Sequence, residues 1–319
     1  MLHLVVRRLL LLIPTLLLVT FGVFSLIALV PGDAATYVAG GVNATPEKIA
    51  EVREQLGLND PYLVQYGHWL GDAVQLDFGK SVISGASVTD EIRRNLPVTL
   101  SIVVGALFVG IALAIPIGLW SGAKQGGLVD RVLLVVTSAG QSIPNFVVAI
   151  VLINYFSIEF GWFRAVGFDR LTSGDGLQVV LWLKSLTLPA LALGIGIAAR
   201  LARQIRAGVI ETMHEPYVRT ALAKGCSPRQ LIGKHVFKNA ALPAVTIAGL
   251  TLGAMIGGTV VIEQIFSVPG VGAYLVAAIT NRDIPAIQGC LVLFVVGVAL
   301  INLAVDILYG WLNPKIEVS

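Results

Sequence analysis

Residues 97–120, PVTLSIVVGALFVGIALAIPIGLW, run for 24 positions without Asp, Glu, Lys or Arg. About 20 such residues make a helix long enough to cross the hydrocarbon core of a bilayer, so the stretch reads as a transmembrane helix. Five further uncharged runs lie at about 9–30, 132–156, 185–199 with a polar continuation, 239–262 and 286–305, each measured against that same length of about 20 residues. The composition agrees, since 56% of the 319 residues are hydrophobic and only 13% charged, against about 25% charged in a soluble domain. A mean hydropathy of +0.84 excludes an ordinary soluble globule. The first run could be a signal peptide behind Arg7 and Arg8, but its 22 residues exceed the usual apolar region of about 7–15.

Charge placement orients the chain. With the N-terminus inside, the inner segments hold 13 basic and five acidic residues, and the outer segments hold nine basic and 14 acidic ones. The inside is then +8 and the outside −5, matching the net +3 and the bias of Lys and Arg toward cytoplasmic loops. Both termini are expected in the cytoplasm. The division is a first span at 1–30, an outer amphipathic segment at 31–96, a five-helix core at 97–310 and a tail at 311–319. A net charge this small gives no reason to expect nucleic acid. Cys226 and Cys290 fall on opposite sides of the membrane, so they form no disulfide framework.

Two polar segments carry local signals. In the outer one, Thr45-Pro46 reads as a helix start with Ile49, Val52 and Leu56 on one face and Gly57 as the stop. Asp60-Pro61 repeats the start, and Tyr62, Tyr66, Trp69 and Leu70 form an aromatic face suited to lipid headgroups. The inner segment, 200–239, begins with Arg200, Arg203 and Arg206, which extend the fourth span past the headgroups and snorkel there. Pro216 opens a short helix, Tyr217–Lys224, that stops at Gly225. Ser227-Pro228-Arg229-Gln230 then reads as a capping box. Two short helices joined by a small-residue elbow suit a groove on another protein; a merely solvated basic loop is the alternative.

Tyr217-Val218-Arg219-Thr220-Ala221-Leu222-Ala223-Lys224-Gly225, with Lys238-Asn239-Ala240-Ala241-Leu242-Pro243, resembles the EAA loop of permease subunits of ABC importers. Arg-Thr-Ala in place of Glu-Ala-Ala resembles the dipeptide and oligopeptide branch. The likeness extends along the chain: Arg7-Arg8 to Pro31-Gly32-Asp33, with Ala34 where the family has Pro; Leu56-Gly57-Leu58-Asn59-Asp60-Pro61 with Gln65-Tyr66 and Trp69-Leu70; Glu263-Gln264-Ile265-Phe266 with Pro269-Gly270-Val271-Gly272; and Arg282-Asp283-Ile284-Pro285 with Gln288-Gly289. The resemblance implies an all-α integral membrane protein with six transmembrane helices, the type I ABC importer permease fold, and a cytoplasmic coupling-helix loop. It implies a multi-pass subunit of the bacterial plasma (inner) membrane. Its implied partners are a second homologous permease in a heterodimer, two cytosolic ATPases and an extracytoplasmic peptide-binding (lipo)protein. ATP and Mg would be bound by the ATPases, with no cofactor in this subunit. Glu215, Tyr217, Arg219, Thr220, Ala221, Lys224, Gly225 and Ser227 are the candidate ATPase-coupling residues. Relatives of this branch also carry nickel or other small solutes, so dipeptides or oligopeptides are the default substrate.

Gln141, Ser142, Asn145, Met255, Thr259 and Glu263 are candidates for the translocation path; at each, helix-to-helix hydrogen bonding or packing is the alternative. Glu263, at the outer end of the fifth run, could also be solvated. The six runs contain no ionisable group, which opposes a stand-alone secondary transporter or channel. A membrane-embedded enzyme lacks a nucleophile with a partner at depth. Gly79-Lys80-Ser81 lacks the upstream Gly of a phosphate-binding loop, since Val74 stands there. His214-Glu215 lacks the second His of a zinc helix, because Val218 occupies it. Gly194-Ile195-Gly196 and the series Gly249, Gly253, Gly257 read as helix-packing positions. Asn43-Ala44-Thr45 spells a glycosylation sequon, without meaning in a bacterial cell.

Overall fold

The computed structural model of the chain describes residues 2–29, 35–36, 45–55, 57, 59–173, 176–227 and 230–312. The Pro31-Gly32-Asp33 exit, Asn43-Ala44, Leu56, Leu58, Pro228-Arg229 and the tail from 313 lie outside the described residues. The elements are helical: α1 Leu2–Leu29, α2 Pro46–Gln55, α3 Tyr62–Val74, α4 Val88–Ala123, α5 Leu128–Ser142, α6 Asn145–Leu152 with a π-helical continuation Ile153–Glu159, α7 Val179–Met213, α8 Pro216–Ala223, a π-helical turn Leu231–Val236 leading into α9 Phe237–Ala240, α10 Leu242–Ile265, α11 Val271–Thr280 and α12 Ile284–Leu312. A two-residue hairpin, Thr172–Ser173 with Gly176–Leu177, precedes α7. Contacts group residues 98–273 and 300 onward in one unit, and residues 2–97 with 274–299 in a second. These units cut across the linear division of the sequence.

Among the described residues, four stretches are long and apolar enough to cross a membrane: Val88–Ala123, Val179–Met213, Phe237–Ile265 and Ile284–Ile307. The run expected as one span at 132–156 is instead a pair of helices bent by 99°. Pro144 is the cause. It has no N–H to give and disfavours helical backbone at the residue before it; Ile143 is accordingly extended (φ −77°, ψ 123°) and α6 restarts at Asn145. With that pair counted as one span the total is five, and α1 adds the apolar stretch Leu10–Ser25.

In the first unit α7 is central. It packs against α5, α6, α9 and α10, and its buried face includes Leu188, Ala192, Leu193, Ile197, Leu201, Ala202, Ile205 and Val209. Its contact with α4 is a seam of small residues. A Cβ on Gly110 would lie 2.6 Å from Ile197, one on Gly118 2.7 Å from the Ala202 carbonyl oxygen, and one on Gly122 2.7 Å from Val209. From the other side, a Cβ on Gly194 would lie 2.7 Å from Val109. Small residues let membrane helices approach closely enough for dispersion to replace the missing hydrophobic drive. The packing reading of Gly194 and Gly196 is explained here, since Gly196 faces the Asn145 side chain. Of the Gly249 series, Gly249 sits against Val305, whereas Gly257 faces open space within this chain.

The second unit corrects the outer segment. Tyr62, Tyr66 and Trp69 turn onto α1 rather than outward: Phe24 lies 5.1 Å from Tyr62, 5.7 Å from Tyr66 and 5.6 Å from Trp69 between ring centroids. The Tyr66 hydroxyl pairs with Thr20 Oγ1 at 2.9 Å and donates to the Leu17 carbonyl at 3.0 Å. The helix starts differ in kind. Thr45 Oγ1 accepts from the Lys48 amide at 3.3 Å, as a cap should, while α3 begins after Pro61 without a side-chain cap. In the same unit Ser81 Oγ donates to Asp283 at 2.5 Å and the Val82 amide donates to it at 3.2 Å, joining the 77–87 loop to the start of α12.

Gly118→Val would force side-chain atoms into a backbone carbonyl, and overpacking of this kind costs about 1–3 kcal/mol or more. A lowered thermal transition in detergent is the expected outcome, with Gly22→Ala unchanged because nothing lies within 4 Å of its added Cβ.

Candidate functional site

The elbow is closed at both ends by its own residues. Pro216 occupies the first position of α8, where its missing N–H costs nothing. At the other end Gly225 takes φ +81°, which glycine adopts without strain. The Cys226 amide then donates to the Ala221 carbonyl at 3.2 Å and the Gly225 amide to the Leu222 carbonyl at 2.9 Å. This pair of bonds is the Schellman ending. The capping box follows: the Gln230 amide donates to Ser227 Oγ at 3.4 Å, and the Ser227 amide donates to Gln230 Oε1 at 3.4 Å.

One face of α8 anchors the elbow and another is open. Val218 is fully buried and Ala221 half-buried, whereas Glu215, Tyr217, Arg219, Thr220, Lys224, Gly225 and Ser227 are exposed. The Tyr217 ring is held from behind, its hydroxyl accepting from Asn239 Nδ2 at 2.6 Å and donating to the His235 carbonyl at 3.3 Å. Asn239 is thereby the residue that ties the elbow to the foot of α10. Close by, a Cβ on Gly208 of α7 would lie 2.5 Å from the Ala240 carbonyl oxygen, so α7 and α9 touch through backbone.

An ion pair that the sequence does not announce lies in the same unit. Asp130 is 2% exposed and sits in the first turn of α5. Its Oδ1 accepts from Arg206 Nε at 2.6 Å and Ser121 Oγ at 2.5 Å; its Oδ2 accepts from Arg206 Nη2 at 2.8 Å and the Gly126 amide at 2.8 Å. Arg206 is therefore a two-pronged clamp from α7 onto the α4–α5 turn, and not a snorkelling anchor. An isolated acid among inner basic residues, next to Gly126-Gly127, is the signal that could have found it.

The path candidates separate into two groups. Gln141 and Ser142 are exposed at the break between α5 and α6, and Asn145 is half-buried over Gly196. Met255, Thr259 and Glu263 are instead buried, at 5%, 0% and 0% exposure. The carboxylate of Glu263 accepts from Thr99 Oγ1 at 2.7 Å and from the Ala273 amide at 2.8 Å, and Thr99 Oγ1 in turn accepts from the Val271 amide at 2.9 Å. Gly270 and Gly272 lie so close to this carboxylate that a side chain at either position would collide with it. Glu263 is thus a latch holding the turn after α10, not a solvated end. Because α10 runs to Ile265, the latch places an ionisable group inside that helix.

Two family models cover this arrangement. The "Binding-protein-dependent transport system inner membrane component" matches residues 114–318, and the N-terminal model of the same transport systems matches residues 1–103. The chain belongs to this family. The chain is 38% identical over 313 residues, 98% of each chain, to the "Probable peptide ABC transporter permease protein y4tP" of Sinorhizobium fredii. It is also 38% identical over 317 residues, 99% of each chain, to the "Glutathione transport system permease protein GsiC" of Escherichia coli. A solved structure titled "Inward facing conformations of the MetNI methionine ABC transporter" superposes with a TM-score of 0.54 at 19% identity, covering 70% of this chain and 96% of that one. The fold is that of a type I permease, and the protein is a membrane-spanning permease subunit of an ABC-type transport system.

Removing one member of a buried pair leaves the other uncompensated, at a cost of about 3–5 kcal/mol. Asp130→Ala is expected to lower the detergent melting temperature strongly. Arg206→Lys, which keeps the charge but loses the fork, is expected to fall between wild type and Asp130→Ala in the same assay.

Proposed function

We propose that this subunit forms half of the path of an ATP-driven importer of dipeptides or short oligopeptides. The observation that carries the reading is the elbow: a short helix, opened by Pro216 and closed at its C-terminus by its own backbone, anchored through Val218 and Tyr217 while Arg219, Thr220 and Lys224 stay exposed. A preformed helix on a basic surface suits a groove of a cytosolic ATPase, and the peptide and glutathione permeases at 38% identity support a peptide-class substrate. In this reading Glu215, Tyr217, Arg219, Thr220, Ala221, Lys224, Gly225 and Ser227 form the coupling surface. ATP binding draws two ATPases together, the elbows move with them, and the helices exchange inward for outward opening. The ATPases hold ATP and Mg; this chain supplies no cofactor site. A second homologous permease completes the path, and an extracytoplasmic binding protein delivers the solute.

Gln141, Ser142 and Asn145 are the path candidates favoured here. Broken backbone inside a membrane is tolerated where it is buried in protein or lines a watery cavity, and these residues flank the break at Pro144. Met255, Thr259 and Glu263 would act one layer behind them. Both termini are placed in the cytoplasm of a bacterial cell, following the inner excess of Lys and Arg.

Purification of the tagged chain in mild detergent is expected to bring down two ATPases, a second permease and a peptide-binding protein in near-equal amounts; recovery of the chain alone overturns the reading. Gly225→Trp, which puts a large residue at φ +81° on the open face, is expected to lose ATPase association and transport while the protein still inserts. Arg219→Glu, on the same exposed face, is expected to reduce substrate-stimulated ATP hydrolysis without altering folding. For orientation, a Cys placed at Lys80 in a version lacking Cys226 and Cys290 is expected to react with an impermeant thiol reagent from outside. Labelling only after membrane rupture would invert the topology.

A further inference from the structure

The turn between α4 and α5 carries unpartnered charge beside bare apolar surface. Lys124 is the first charged residue after the uncharged stretch 97–123, and Arg131 is the last before the uncharged stretch 132–158. The two therefore mark one membrane level, where one charge-free run ends and the next begins. Both are exposed, and neither has an ion-pair partner among the described residues. Asp130, the acid beside them, is already engaged by Arg206, Ser121 and the Gly126 amide. The turn is left with two uncompensated cations. Trp120, one turn before Lys124, is 59% exposed, and the Lys124 Nζ stands 5.7 Å from the centre of its ring, within cation–π range. On α5, Val132, Val135 and Val136 follow Arg131 at the three- and four-residue spacing of one helix face. All three are exposed, Val135 to 69%.

We propose that this patch binds an anionic phospholipid of the surrounding bilayer. The inference needs only the membrane-spanning fold and is independent of the solute carried. Its chemistry follows from the order of the groups along the two helices. Lys124 and Arg131 meet the phosphate, the Trp120 ring lies at headgroup depth, where indole is favoured, and Val132, Val135 and Val136 run beside the acyl chain. An acidic soluble partner would pair with the cations but leave the three valines bare. An apolar helix would cover the valines but leave two cations without a counter-charge. A phospholipid brings a negative charge and a hydrocarbon chain in one molecule, in that order. A zwitterionic headgroup also carries an ammonium that the two cations repel, so the site selects a lipid of net negative charge. Because Arg206 reaches Asp130 from α7 while Ser121 and the Gly126 amide hold the same carboxylate, a lipid held here sets the depth of the α4–α5 turn and, through the fork, of α7.

The test uses the full-length chain, with whatever proteins co-purify, in phosphatidylcholine nanodiscs containing a minor fraction of a lipid brominated high on its acyl chain. That lipid is phosphatidylglycerol in one sample and phosphatidylcholine in the other, and bromine quenches indole fluorescence on contact. The difference in quenching between wild type and Trp120→Phe isolates the ring at the patch. One basic residue beside an anionic headgroup carries about a fivefold preference, so the pair is expected to favour phosphatidylglycerol about 25-fold. Lys124→Gln and Arg131→Gln, both exposed, are each expected to lower the preference about fivefold, and the double variant to abolish it. Lys184→Gln, exposed near the start of α7, is expected to leave it unchanged. In the wild type, raising the salt is expected to weaken the preference by screening, a readout that requires no variant to fold. Soluble glycerol phosphate, which has the charge without the chains, is expected not to compete. Equal quenching by the two lipids, a preference unaltered by salt or by the double variant, or an equal loss in Lys184→Gln overturns the proposal. Displacement by glycerol phosphate also overturns it and assigns the patch to a soluble phosphate. Loss of a co-purifying protein from the double variant with the lipid preference intact overturns it in favour of an acidic protein partner.

Discussion

Two apolar helices gain nothing by leaving lipid for each other, so α4 and α7 hold together by how near their backbones come. Gly110, Gly118 and Gly122 on one helix and Gly194 on the other remove the atoms that would keep them apart. With α4 seated, α7 becomes a post whose remaining faces take α5, α6, α9 and α10. The Asp130–Arg206 fork then fixes the α4–α5 turn to the same post, with Ser121 and the Gly126 amide filling the carboxylate's remaining positions. Such a satisfied network sets register rather than adding much net stability. Without the close approach neither the clamp nor the elbow below it has a fixed frame.

The helices were legible because length and apolarity are local properties. Among the described residues each uncharged run except 132–156, which breaks at Pro144, is helical along its length apart from the junction at Ala241, and Gly57, Pro216 and Gly225 mark boundaries that the backbone respects. What failed depended on partners distant in sequence. Pro144 was in plain view, yet whether a proline is carried within a continuous helix, as Pro14 and Pro189 are, or breaks it is decided by what replaces the lost bond. Likewise Tyr62, Tyr66 and Trp69 carry an interface-type signature that lipid and Phe24 satisfy equally well. Composition cannot separate those surroundings.

At the site the same division holds. The capping box, the proline start and the glycine stop of the elbow are written within a dozen residues, and they form as written. Arg206 looked like one of three equivalent charges, because its distinction is an aspartate 76 positions away. Glu263 looked exposed because it follows the last apolar residues of its run; its donors, Thr99 and the amide of Ala273, arrive from another helix and from a turn that only glycines allow. The Pro-Gly-Val-Gly motif is therefore a steric demand of that carboxylate.

The elbow's self-closure bears on how the complex assembles. A segment that orders only when gripped charges its partner for lost chain entropy and binds weakly for the surface it covers. Here the C-terminal carbonyls of α8, those of Ala221 and Leu222, are already satisfied by the amides of Cys226 and Gly225, so in the proposed coupling role a partner meets a preformed helix and loses mainly rigid-body freedom on docking. In the proposed coupling role, release and rebinding would repeat in every cycle without the helix melting between strokes, and the energy of a partner's closure would pass into movement of α7 instead of into refolding.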